Sequence, residues 1–205
     1  GVKLWAGNQP VSASLQRRLL DRELQQPLET SLIAEDGVSV AGLVQAVQDV
    51  LQSSSPLVPV LQPHAPRLLA LVGGLTLHPV AQLLLTAAQT ARPAHYAHAV
   101  AAMALNGALM AADGGDDAAV RLALLSGLLH DVGEMYIDPL HGEAEADRDL
   151  DFASYQQLVV HPHVGYLLVA QLTNYPAEVA RAIAEHHERL DQSGYPNALG
   201  GGKMS

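Results

Sequence analysis

Apolar residues recur at the helical period along most of this chain, and no segment alternates convincingly as a strand. From Ser39 they fall at Val40, Leu43, Val44, Val47 and Leu51. That is the i, i+3, i+4, i+7, i+11 face of an amphipathic helix, with Ser39 as its N-cap. His78-Pro79 opens another helix, with proline at the first helical position. Pro93 starts a third, running to about Ala112, and Asp113–Asp117 reads as a loop. Val120 to Leu129 is strongly apolar and reads as a buried helix. Pro162 and Pro176 each begin a further helix, and the acidic stretch from Pro139 to Asp151 reads as irregular. The expected class is therefore all-α. A division near residue 90 is expected, with a helical N-terminal segment of unassigned role over 1–90 and a histidine-rich helical domain over 91–205.

Composition narrows what such a bundle can do. The 205 residues carry 21 acids against 11 bases, a formal charge of −10. Lysine occurs only at Lys3 and Lys203. A polymeric nucleic acid or an anionic membrane surface calls for basic patches, so neither is expected as a partner. No apolar run reaches the roughly 18–20 residues of a membrane span. There is no cysteine, which excludes disulfides, thiolate zinc sites and cysteine nucleophiles. Of ten histidines, eight lie at or after position 95. The chain starts at Gly1 rather than Met and stops abruptly after Gly200-Gly201-Gly202, so trimming and a further C-terminal element are expected.

Four histidine segments follow one another. In Leu129-His130-Asp131-Val132-Gly133 a His-Asp pair ends an apolar helix. Alone, this pair reads more readily as a helix-end histidine with a capping aspartate than as a metal site. In Ile183-Ala184-Glu185-His186-His187, both imidazoles continue the apolar stripe of Val179 and Ile183. His161 stands at the mouth of the helix started by Pro162, while His163 is expected to face solvent. On the Pro93 helix either His95 or His98 can reach the same interior. Trp5, His64 and His78 read as packing or surface residues. Converging ligands from several helices is a common route to a metal site in an all-α protein. Five imidazoles and one carboxylate exceed the needs of one tetrahedral ion. A two-metal site bridged by Asp131 is the economical reading. Iron, manganese and zinc all suit such donors.

These motifs resemble the HD superfamily of metal-dependent phosphohydrolases, over roughly residues 95–202. His186-His187-Glu188-Arg189-Leu190-Asp191-Gln192-Ser193-Gly194-Tyr195-Pro196 closely resembles the HHExxDGxGYP signature of the HD-GYP subfamily. His161-Pro162-x-x-Gly165 resembles its HPxxG segment. The resemblance implies an HD-domain helical bundle, two divalent ions (iron or manganese foremost), and hydrolysis of cyclic di-GMP by metal-activated water. It implies His98, His130, Asp131, His161, His186 and His187 as ligands, with His130 and Asp131 at the catalytic centre and His95 as the alternative to His98. Gly194 and Tyr195 would line the substrate. It also implies a cytoplasmic signalling module, with a cyclic dinucleotide and a signalling protein as partners.

Three departures qualify the resemblance. Glu134 stands where the family usually has lysine, next to the expected phosphate. Gln192 replaces a glycine. The family also carries a further acidic ligand on a helix after GYP, which the resemblance would put past Ser205. Ala94 stands where a third metal would need glutamate, so two ions are expected. The alternatives are a non-catalytic HD-GYP module binding metal, nucleotide or protein, and an HD phosphohydrolase acting on another nucleotide.

Overall fold

Ser39 does cap the first long helix, its hydroxyl accepting from the amide of Gly42 at 3.1 Å. This computed structural model describes residues 12–20, 26–138 and 152–203. The acidic stretch expected to be irregular, Pro139 to Asp151, lies outside them, as does Trp5. The chain divides into two units, Gly1–Leu32 and Ile33–Ser205. The first holds helix α1 (Ala13–Leu20) and a short 3₁₀ turn (Leu28–Thr30).

The second unit is all-α. Its helices are α2 (Val40–Gln52), α3 (Val58–Leu61), α4 (Ala65–Gly73), α5 (Pro79–Ala91), α6 (Pro93–Ala112), α7 (Asp117–Leu129), α8 (Phe152–Leu158), α9 (His161–Leu172) and α10 (Ala177–Glu185). Among the described residues the only β-type pairing is a single bridge between Asp191 and Gly200. Helix starts follow local chemistry. Asp116 caps α7 by accepting from Ala119 at 2.8 Å. His78 caps α5 through Nδ1, and prolines stand in the first turns of α5, α6 and α9.

One core runs through this unit. Leu43 and Val47 of α2, Leu68 of α4, Met103 of α6, Leu124 of α7 and Ile183 of α10 are fully buried. Each such side chain contributes about 1.5–3 kcal/mol of transfer free energy. Packing is continuous across residue 90, because α5 and α6 share this core. A division there separates chemistry-bearing from supporting helices, with no gap in the packing.

Two devices fix the frame around the histidines. Helices α6 and α7 pack side by side, and Gly127 permits their approach: a Cβ there would stand 2.7 Å from the carbonyl oxygen of Ala102. Tyr175, between α9 and α10, accepts from the amide of His78 at 2.7 Å and donates to the carbonyl of Thr76 at 3.2 Å. Burial raises the pKa of its phenol, so it stays a donor. No helix among the described residues is long and apolar enough to cross a membrane.

Candidate metal centre

Helix ends build the site. His130 is the C-terminal cap of α7, and Asp131 leads into a 3₁₀ turn over Val132–Tyr136. His161 is the first residue of α9. Helix α10 stops at Glu185, so His186 is its cap and His187 lies in the following turn. The apolar stripe thus does not continue as helix through the two imidazoles. His186 is nevertheless directed inward, because its Nδ1 lies 2.7 Å from the carbonyl of Ile183.

That contact recurs. His130 Nδ1 lies 2.8 Å from the carbonyl of Gly127, and His161 Nδ1 lies 2.7 Å from that of Leu158. In all three the carbonyl stands three residues earlier, among the acceptors a helix end leaves over. A carbonyl can only accept, so each Nδ1 carries the proton. Each neutral ring then presents a lone pair at Nε2. These lone pairs converge. His98 and His130 Nε2 are 3.2 Å apart, and His161 and His186 Nε2 are 3.1 Å apart.

Asp131 sits among them, 2% exposed. Its Oδ2 is 2.8 Å from His130 Nε2 and 3.5 Å from His98 Nε2. Its Oδ1 is 3.3 Å from His186 Nε2 and 3.5 Å from His161 Nε2. Neither oxygen makes a regular hydrogen bond. A buried carboxylate facing lone pairs is unfavourable unless positive charge stands between them. Burial pushes its pKa up, but His130, His161 and His186 hold it far below the usual carboxylate range. Burial favours neutral His161, but the Asp131 carboxylate outweighs this and raises its pKa. For His186 burial wins, helped by repulsion from His187, and its pKa is lowered.

Divalent cations fit this donor set. Two groups of converging donors share Asp131: His98 and His130 on one side, His161, His186 and His187 on the other. The six residues expected as ligands are thus brought together. His98 is half exposed, at the rim. His163 faces solvent, as expected.

His95 and Glu134 lie elsewhere. His95 points into the interior, its Nδ1 3.2 Å from Glu134 Oε2, with both side chains buried. Glu134, expected beside a substrate phosphate, therefore does not present its carboxylate to the open side. The 3₁₀ turn after Asp131 carries it back toward α6. Arg92 clamps the same turn from outside, donating to the carbonyls of Glu134 (2.6 Å) and Ile137 (2.8 Å).

The loop after His187 is built tightly. Tyr195 donates its amide to the His187 carbonyl at 3.2 Å, and its ring stacks on His187 with centroids 4.4 Å apart. Gly194 has a backbone reason: a Cβ there would overlap the His187 carbonyl and stand 2.6 Å from the Glu188 Cα. Glu188 holds the far side, its two oxygens accepting from the amides of Asn197 and Leu199, each at 2.7 Å. Gln192 does adopt positive φ, 65°. A left-handed conformation costs a non-glycine residue about 1–2 kcal/mol. Neither Arg92 nor the role of Glu188 was readable from pattern, because both act on backbone groups.

Comparison with known proteins agrees with this geometry. Over 123 residues the chain is 36% identical to a cyclic di-GMP phosphodiesterase of Pseudomonas aeruginosa, covering 60% of this chain and 29% of that protein. It therefore spans less than a third of that relative's length. No solved structure matches the chain significantly. The HD domain model matches residues 96–204, more than half of the sequence and every donor described above. The chain belongs to the HD domain family.

Proposed function

We propose that this chain is an HD-GYP-type phosphodiesterase module that hydrolyses cyclic di-GMP with two divalent ions, iron or manganese foremost. The observation that carries the reading is the pair of donor groups sharing the buried Asp131. Bound there, divalent ions supply Lewis acidity toward a phosphate and lower the pKa of water. The chain's own residues do the rest. His130, His161 and His186 keep their protons on Nδ1 and their lone pairs inward. Asp131 joins the two groups and offsets their cationic charge. Tyr195 forms one wall beside His187. Glu134, paired with His95, keeps its negative charge away from an anionic substrate. The relative's activity and the HHExxDxxGYP segment support the same substrate. A cytoplasmic signalling role with a protein partner belongs to this reading.

One observation favours a second reading, a non-catalytic module. Among the described residues the first donor group has only His98 and His130 besides the shared Asp131, and His98 is half exposed. Metal content and turnover decide between them. About two iron or manganese ions per chain, with cyclic di-GMP converted to a linear product, is the expected result. One ion or none, with no turnover, would favour the module.

His98 and His95 separate cleanly. His98→Ala is expected to remove about one ion per chain and to leave the urea midpoint of the metal-free protein nearly unchanged. His95→Ala is expected to keep the metal content and to lose about 2 kcal/mol, because a buried carboxylate loses its imidazole. The reverse pattern would make His95 the ligand.

A further inference from the structure

Aromatic side chains are scarce in this protein, 4% of the sequence, with a single phenylalanine. Two of them meet on one side of the imidazole cluster, with a third one helical turn away. Tyr195 stacks on His187, and the ring of Tyr155 meets Tyr195 edge-on, with centroids 6.3 Å apart and planes at 75°. Phe152 lies three residues before Tyr155, one helical turn away on α8. Both are left to solvent, Phe152 at 75% exposure and Tyr155 at 45%. The short helix that carries them is tied to the site, since the carbonyl of Leu158 at its end holds His161 Nδ1 at 2.7 Å.

Charge makes this corner informative. A phosphodiester held at the imidazoles needs further contacts, and the chain has two lysines, one at each end. Arg92, the basic side chain nearest in sequence to His95 and His98, is committed to backbone carbonyls. Whatever meets the phosphates, the exposed Arg189 two residues after His187 included, the bases of a nucleotide need contacts of their own. An exposed tyrosine beside the phosphate position offers a flat surface for that, and stacking of a base on an aromatic ring suits any base with a π-face.

We infer that Tyr155 is a specificity-determining residue on which a nucleobase of the substrate stacks, while Tyr195 forms the inner wall of the same corner. The inference rests on the cyclic dinucleotide reading above. The test uses the metal-loaded chain with cyclic di-GMP as substrate and inorganic phosphate as competitive inhibitor. In Tyr155→Ala the KM for cyclic di-GMP is expected to rise about tenfold, equivalent to about 1.4 kcal/mol. The inhibition constant for phosphate, which has no base, should stay within twofold, and Tyr155→Phe should resemble the wild type. An unchanged KM in Tyr155→Ala overturns the inference, as does an equal weakening of phosphate, which would mean a disturbed metal centre. If the wild type binds cyclic di-GMP without turning it over, the enzymatic reading fails alone. The inference is then judged on calorimetric Kd: a tenfold loss in Tyr155→Ala sustains it and no loss overturns it. If the wild type does not bind cyclic di-GMP, both fall.

Discussion

On the proposed two-ion reading, Asp131→Ala is expected to empty both metal positions at once and to lower cyclic di-GMP hydrolysis by at least about a thousandfold, the scale on which removal of a central catalytic group acts. The reason is geometric. One carboxylate, 2% exposed, serves imidazoles from α6, α7, α9 and the end of α10. Removing any one histidine leaves one donor group intact, whereas removing Asp131 breaks both. Elemental analysis after purification without chelator reads the metal content directly. Thermal unfolding adds a second readout. A ligand that binds only the folded state raises its stability by mass action. The variant should therefore melt alike with and without added manganese, while the wild type shifts upward. Two ions per chain in the variant would refute the shared-carboxylate arrangement.

Gly133→Ala is expected to cost about 3 kcal/mol and to lower metal occupancy even in protein that still folds. The turn after Asp131 crosses the start of α9 with no space for a side chain. A Cβ at Gly133 would overlap the carbonyl oxygen of His161 and stand 2.7 Å from the amide nitrogen of Gly165. Backbone cannot rotate away as a side chain can, so α9 must move, and overpacking of this kind costs about 1–3 kcal/mol. His161 moves with α9, which spoils its distance to Asp131. Urea unfolding measures the first effect and metal content at low temperature the second. A variant with wild-type stability and full metal would show that the turn and α9 part without harm.

The helices with one apolar face were legible, and so were those announced by proline or a capping side chain. Helix α4 was not: it follows α3 and a 3₁₀ turn without a break, and no side chain caps its start. Short α3 and α8 offer too few turns for a period to register. At the site, residue type carried most of the information. Imidazoles and a carboxylate on apolar helices have few uses, and spacing turned them toward one interior, though it read His186 and His187 as helical where α10 already ends at Glu185. What spacing could not convey was the direction of a turn. Glu134 lies three residues past Asp131 and was expected toward the substrate, yet the 3₁₀ turn delivers it to His95. Sequence distance also hid Tyr155, which meets Tyr195 from forty residues away.

The carbonyls behind His130, His161 and His186 have a consequence for timing. Each ring takes its aim from its own stretch of main chain, not from an ion. These three donors are set as soon as the helices have docked, so loading can follow folding. Selection among divalent ions then rests on this preset geometry and donor type together with the ions the surroundings supply.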